Sequence, residues 1–292
     1  MNLNQLKLFY LAVKYKSLSR AAKELNITQP AVSKGIQRLQ EYYEVPLVHK
    51  LGKNLELTLA GDNLFSIAKK IFDLEHLADD CMADFQSENL KHLKISASES
   101  FGAYYLPEFI NKFNLKAPKV QITIEVLTNR QVVENTVSLR NDIGFVSFPV
   151  KDKRINTIEI VKDEIVIILN PTHPLTKKDQ IKAADFEGHM MIMHEEGSYF
   201  QKMIHDLLEA ENVSVTMPIT FSNNEAIKRA VEGGTGIAPI SKKVAAKEID
   251  SGKLVAFPLS STPFYRTFYM IHHKEKHISG HLKQFIKLIK QH

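Results

Sequence analysis

The stretch "SLSRAAKELNITQPAVSKGIQRLQ", residues 17–40, decides how the first part of the chain is read. Ser19 precedes "RAAKEL", where Ala21, Ala22 and Leu25 permit close helix packing. Asn26-Ile27 breaks that run, and Asn is a good turn residue. Thr28 sits where a helix N-cap belongs, and Pro30 falls in the first turn, where its missing N–H costs little. Val32, Ile36 and Leu39 then follow at spacings of four and three, which makes one buried stripe. The stripe turns Gln29, Ser33 and Gln37 outward, with Pro30 and Lys34 beside them. Two short helices across a three-residue turn are the helix-turn-helix arrangement. A second helix offering amides, a hydroxyl and a cation suits the major groove, where Gln reads adenine and Lys reads guanine or holds phosphate. A solvated polar face on an ordinary helix would look the same in isolation, and Gly35 weakens the helix by about 1 kcal/mol relative to Ala.

Working outward, "PLVHKLGKNLELT" (46–58) has two short β-prone pieces around Gly52-Lys53-Asn54, a hairpin signal. A basic hairpin beyond a recognition helix is a wing, suited to phosphate or minor-groove contact. The expected DNA contacts are Ser19, Arg20, Thr28, Gln29, Pro30, Ser33, Lys34, Gln37, Arg38, Lys50 and Lys53. Residues 1–58 hold nine Lys and Arg against four acids, so they account for the formal net charge of +5 while the rest of the chain balances. A basic head on a neutral body is the electrostatic footprint of a nucleic-acid-binding module.

The run "AAKELNITQPAVSKGIQRLQEYYEVPLVHKLGKNLELTLAG" resembles the N-terminus of LysR-type transcriptional regulators. It has the paired Ala, the polar N-cap before Gln-Pro, the Ser-basic pair, the Pro-Leu and the Leu-Thr-x-x-Gly ending. Three positions depart from the family's habit: Gln40 replaces Glu, Val48 replaces Phe, and Lys50 replaces Arg. Lys lacks the guanidinium fork, which makes a wing contact less directional. The resemblance implies a homodimer or homotetramer on double-stranded promoter DNA, a small-molecule effector, and RNA polymerase as a further partner.

Residues 59–87 contain no Pro, and Gly61 lies only at their start. Leu64, Ile67, Ile71, Leu74, Ala78, Cys81 and Phe85 are spaced alternately three and four apart, an a/d repeat that favours an intermolecular seam over packing within the chain. A dimer would present two recognition helices to a two-fold site. Cys81 fits this seam as a small apolar residue. The expected divisions are a winged helix-turn-helix at 1–58, a linker and dimerisation helix at 59–88, and an effector domain at 89–292.

From about residue 91 strands alternate with helices: "LKISAS", a helix to about Leu115, "VQITIEVLT", a helix over "QVVENTVSL", then "DIGFVS". A second set follows with "EIVIIL", "MMIMH", a helix from about Ser198, "VTMPIT", a helix from about Asn224, "GIAPIS" and "LVAFPL". Finally "YRTFYMIHH" and a helical tail from about Ser279 return. The fold class is α+β multi-domain, with a two-lobed α/β body whose sheet is largely parallel. The body resembles periplasmic solute-binding proteins and the effector domain of LysR-type regulators, with lobe I at about 91–161 plus 266–292 and lobe II at about 162–265. "YLPEFINKF", "DIGFV", "HEEGSYF" and "NEAIKRAVEGGTGIAPIS" carry the second resemblance.

In such sheets ligands sit beyond the C-terminal strand ends, near helix N-termini. Those ends hold Ser98, Glu99, Ser100, Thr128, Asn129, Ser147, Gly197, Ser198, Tyr199, Asn223 and Asn224, a set suited to a small polar effector, often an anion. Helix capping alone would explain any single Ser or Asn among them. Two departures from the family bear on ligand charge: His194 stands where Arg is common, and Glu99 where small or hydroxyl residues are common. An inward carboxylate would repel an anion, so Glu99 is expected to point outward or the effector to carry a cationic group as well.

The composition, 44% hydrophobic and 24% charged over 292 residues, is that of an ordinary globular protein with more than one core. No apolar run approaches the roughly 18 to 20 residues of a membrane span. The lack of a signal-like N-terminus and the single cysteine point to the cytoplasm. His272, His273, His277 and His281 read as solvent-exposed residues of the tail, since Ser279-Gly280 interrupts their spacing, and no metal site is expected. Asp79-Asp80 and Glu195-Glu196 are adjacent and do not face a shared site. No GxSxG, HExxH, P-loop or GxGxxG occurs, so no catalytic set or cofactor is expected. The rival reading is a solute-binding or transport component with an appended helical head.

Overall fold

The computed structural model describes residues 1–51, 54–86, 91–178, 181–194, 198–260 and 262–291, with the backbone alone for residues 50, 51, 54, 76, 77, 80, 81, 83–86 and 91. The chain divides into two compact units, Met1–Gln86 and Ser87–His292.

In the first unit α1 (Leu3–Lys14), α2 (Leu18–Glu24) and α3 (Gln29–Tyr43) precede a hairpin of β1 (Val48–Leu51) and β2 (Asn54–Leu57) and a long α4 (Leu59–Gln86). Four residues, 25–28, join α2 to α3 where a three-residue turn was expected. Ser17, two residues before Ser19, caps α2 by accepting the Arg20 N–H at 3.2 Å. Thr28 occupies the N-cap of α3, but its hydroxyl makes no capping bond. Pro30 removes one donor that such a cap would serve, and Thr28's own carbonyl takes the Ala31 N–H at 3.1 Å. Val32, Ile36 and Leu39 pack on Leu6 and Phe9 of α1 and on Ala21 and Ala22 of α2. Gly35 is buried in this contact: a Cβ there would meet Leu8 Cδ1, so the glycine lets Leu8 of α1 lie on α3. Gln40 Oε1 accepts the N–H groups of Leu47 (2.8 Å) and Val48 (3.2 Å), tying the end of α3 to the start of the wing.

α4 departs from the expectation of a purely intermolecular seam. Phe65, Ala68 and Phe72 form a separate stripe against the head, with the Phe65 and Phe72 rings 5.5 and 5.2 Å from that of Tyr10. Leu64 and Ile71 of the expected seam also rest on this core. Ile67, Leu74 and Ala78 are exposed, whereas the side chains of Cys81 and Phe85 lie outside the described residues. The reason is geometric. At 3.6 residues per turn the a/d stripe and the Phe65–Phe72 stripe are adjacent, and their shared border packs inward.

The second unit contains β3 (Lys91–Ser98), α5 (Glu99–Tyr104), α6 (Leu106–Lys116), β4 (Val120–Leu127), α7 (Asn129–Val137), β5 (Ile143–Val146) and a 15-residue β6 (Ile155–Leu169). There follow β7 (Met190–His194), α8 (Tyr199–Ala210), β8 (Thr216–Phe221), α9 (Asn224–Glu232), β9 (Ala238–Ser241) and α10 (Lys242–Asp250). β10 (Val255–Pro258), β11 (Phe264–His273) and α11 (Gly280–Lys290) complete it. The helix expected to reach Leu115 is two helices, because Pro107 opens α6 and cannot continue α5.

The main sheet has the order β10-β6-β11-β5-β3-β4, with β9 also on β6. It is not largely parallel. β3 pairs in parallel with β4 and β5, but β6 and β11 run antiparallel to each other and to β5, β9 and β10. These two strands cross both lobes in opposite directions, which makes them antiparallel to what they pass. "EIVIIL" is only the second half of β6. Its first half escaped detection because Glu159, Lys162 and Asp163 interrupt the apolar pattern, and α10 was also missed.

In lobe I, α5, α6 and α11 cover one face of the sheet through Phe101, Phe109, Phe113 and Phe285. α7 covers the other face through Val132 against Val146 and Ile271. In lobe II the alternation of β6 sends Ile165, Ile167 and Leu169 toward α8, and Val166 and Ile168 toward α9 and α10. His273 and His281 are buried, not exposed. His273 accepts the Glu275 N–H at 3.1 Å, and the His281 ring bonds the His92 carbonyl at 2.9 Å.

Candidate functional site

On the head, the stripe of α3 faces inward and leaves Gln29, Pro30, Lys34, Gln37 and Arg38 exposed, with Ser33 half-buried. Thr28, Ser19 and Arg20 are exposed beside them. The Gln37 amide donates to Glu41 at 2.9 Å, which holds its side chain along the helix. The Arg20 guanidinium lies 5.2 Å from the Tyr15 ring. Lys50 stands in β1 opposite Leu55, and Lys53 lies outside the described residues.

The body holds a cleft of about 890 Å³. It opens at the C-terminal ends of the parallel strands: β3, β4 and β5 from lobe I, β7 and β8 from lobe II. Ser98, Glu99, Ser100, Thr128, Asn129, Ser147, Ser198, Tyr199 and Asn223 all line it. Gly197 lies outside the described residues. Asn224 does not line the cleft but is buried behind its wall.

Capping and lining coincide at three positions. Thr128 accepts the Gln131 N–H at 3.3 Å, Ser198 accepts that of Gln201 at 3.1 Å, and Asn223 accepts that of Ala226 at 2.8 Å. Asn129 and Ser147 bond each other twice, each time at 3.0 Å. Ser98 is different. It is 6% exposed, and its hydroxyl has no hydrogen-bond partner, an expensive state for a buried polar group.

The lobes meet through Asn224, the first residue of α9. Its N–H donates to Glu99 Oε1 at 3.0 Å, its amide nitrogen to Ser100 Oγ at 3.3 Å, and its Oδ1 lies 3.1 Å from His194 Nε2. Glu99 was expected either to point outward or to face a cationic group on the effector. It opens α5 and reaches across to the other lobe, with a carboxylate on the positive end of α9.

The cleft floor contains a charge that sequence reasoning missed. Arg266 of β11 lines the cleft and donates to Asp163 of β6 at 2.6 and 3.1 Å. The other Asp163 oxygen accepts the hydroxyls of Tyr105 and Ser241, both at 2.6 Å. The Arg266 guanidinium stacks near Phe200 and Phe268, 5.1 and 4.6 Å from their centroids. A lone Arg inside the apolar "FYRTFYMIHH" and a lone Asp before "EIVIIL" were the available signals. Lys202, Arg130 and Phe148 also line the cleft without any expectation from the sequence, and His194, singled out for its bearing on ligand charge but not placed among the cleft residues, lines it too. Burial, then the nearby Arg266 charge, hold the His194 imidazole down at about 4 against the opposing bond to Asn224, so it is neutral at pH 7. Burial and the Asp163 charge push the Tyr105 phenol far above its usual range.

Two family descriptions match this chain along nearly its whole length: "Bacterial regulatory helix-turn-helix protein, lysR family" over residues 3–62, and "LysR substrate binding domain" over residues 86–292. The chain belongs to the LysR family of transcriptional regulators. It is 27% identical to the HTH-type transcriptional activator CmpR of Synechocystis over 290 residues, 99% of this chain and 95% of that protein. It is 30% identical to the transcriptional regulator YeiE of Escherichia coli over 296 residues, 98% and 96% of the two chains. In fold it is similar to full-length CbnR in complex with its target DNA, with a TM-score of 0.75 at 19% identity over 100% and 99% of the chains. The effector-binding domain of QuiR in complex with shikimate covers 68% of this chain and 95% of its own, with a TM-score of 0.62 at 17% identity. Membership of the LysR family removes the reading as a transport component.

Proposed function

We propose that this LysR-type regulator binds promoter DNA as a homodimer or homotetramer and responds to a small polar metabolite held between the lobes of its body. Residues 1–58 are the DNA-binding domain, 59–88 the linker and dimerisation helix, and 89–292 the effector domain, with lobes at about 91–161 plus 266–292 and at about 162–265. The observation that carries the reading is the cleft of about 890 Å³, lined from both lobes by strand ends and helix N-termini, with the unpartnered Ser98 hydroxyl in its wall. The role is binding, not catalysis, and it belongs in the cytoplasm; among the described residues no helix is long and apolar enough to cross a membrane. RNA polymerase is a further partner. A ligand that engages both lobes would favour one of their relative orientations and pass that preference to DNA binding.

The DNA arm of this proposal is tested on α3 and the wing. Gln29→Ala or Ser33→Ala lowers discrimination between cognate and scrambled DNA by about 1–3 kcal/mol if each contacts a base. Lys50→Ala instead weakens both sequences and reduces the salt slope by about 1. Binding titrations at several salt concentrations separate the two effects. An unchanged cognate-to-scrambled ratio in both α3 variants removes base reading from this face.

A further inference from the structure

We infer that the effector of this regulator carries an ammonium or similar cationic group, and that Glu99 is the residue that selects for it. The inference rests on the reading of the cleft as the effector site. Four helices direct their N-termini to the cleft: α5 carries the acidic Glu99 in its own first turn, and α7, α8 and α9 each have a first-turn N–H taken by a side chain. Thr128 serves α7, Ser198 serves α8, and Asn223 serves α9. Glu99 adds a full negative charge at the start of α9, where an anionic ligand would otherwise bind. An incoming carboxylate would therefore meet repulsion where a helix end ordinarily attracts it.

The acceptors at this spot are left open. Glu99 bonds Asn224 through Oε1 alone, and among the described residues its Oε2 has no partner. His194 uses Nε2 toward Asn224 Oδ1, so the neutral ring keeps Nδ1 as an acceptor, also without a partner among the described residues. Both residues line the cleft, as do the rings of Phe148, Tyr199 and Phe200, and aromatic faces attract cations. Phe148 of lobe I and Tyr199 of lobe II stand 5.3 Å apart.

The cleft's own cations offer little to an anion at this end. Arg266 is held by Asp163 and Arg130 by Glu134 at 3.0 Å. Lys202 is the one lining cation with no ion pair among the described residues, so it accommodates an anionic far end. The ligand class is thus a small amine or a zwitterion such as an amino acid. Its ammonium would sit on Glu99 Oε2 and His194 Nδ1, and its other end would face Lys202.

The test compares full-length wild type, Glu99→Gln, Glu99→Ser and Tyr199→Ala in thermal-shift titrations at millimolar probe. The cationic probes, meaning those that bear an ammonium, are putrescine, lysine and the zwitterion 4-aminobutyrate; the purely anionic ones are butyrate, succinate and sulfate. The expected result is that at least one cationic probe raises the wild-type midpoint while the anions do not. Glu99→Gln then weakens that response roughly 10- to 100-fold, as expected for losing a hydrogen bond to a charged group. Glu99→Ser loses the same response and begins to respond to the anions. A wild type indifferent to every cationic probe overturns the inference. So does an anion that shifts wild type and Glu99→Gln alike; if Tyr199→Ala abolishes that shift, the cleft reading survives and only the charge preference falls. Probes whose shifts survive Glu99 and Tyr199 substitution alike would overturn the cleft reading itself.

Discussion

Replacing Asp163 with Ala perturbs the buried centre where the two crossing strands exchange their only opposite charges in register, Asp163 of β6 facing Arg266 of β11. Asp163 is 1% exposed and accepts from Tyr105, Ser241 and twice from Arg266, at distances of 2.6 to 3.1 Å. In Asp163→Ala the Arg266 guanidinium, itself 5% exposed, keeps its charge without a counter-ion, and two buried hydroxyls lose their acceptor. Breaking such a pair on one side costs about 3–5 kcal/mol. For a unit of this size that corresponds to a fall of about 6–20 °C in Tm. Calorimetry and denaturant titration of the full-length protein measure it. Replacing both members by apolar residues, Asp163→Leu with Arg266→Met, removes the stranded charge and recovers most of the loss. If Asp163→Ala costs less than about 1 kcal/mol, or the double variant is no more stable than Asp163→Leu, then the pair is not what holds this centre, contrary to the reasoning from one-sided charge burial.

Three further outcomes are expected. Ile67→Asp, on the exposed part of α4, lowers the oligomer mass by light scattering without loss of helicity, whereas Ile71→Asp also destabilises the head by about 1–3 kcal/mol because Ile71 rests on its core; an unchanged mass for Ile67→Asp rules out the seam. Because the His194 pKa is depressed from 6.5 to about 4 in the fold, its contribution is complete above pH 6.5 and is lost as pH falls toward 4. The loss amounts to about 1–3 kcal/mol, so His194→Gln flattens the acid limb of the stability curve, and identical limbs in both proteins would refute that role. Ser100→Ala removes the acceptor of the Asn224 amide and weakens the response to an effector while basal DNA affinity stays unchanged, which a titration of any responding metabolite against both proteins decides.

By itself the sequence determined what local periodicity and capping can encode. The Val32–Ile36–Leu39 stripe placed Gln29, Lys34 and Gln37 outside. The hairpin signal located the wing, and the strand ends nominated nine residues that do line one cleft. Each of these depends on neighbours within a turn or a strand, so their spacing carries the information. Tertiary structure decided what depends on distant partners. Arg266 finds Asp163 across 103 positions, and Asn224 finds Glu99 across 125. Neither residue announces its partner through spacing, because a charge on a strand is legible only as an exception to the apolar pattern. The border of α4 that packs inward, and the direction in which Glu99 points, are likewise set by surfaces that meet only after folding. For that reason the sequence left Glu99 two alternatives, outward or toward a cationic group on the effector, and only the folded structure set its carboxylate on a helix from the other lobe.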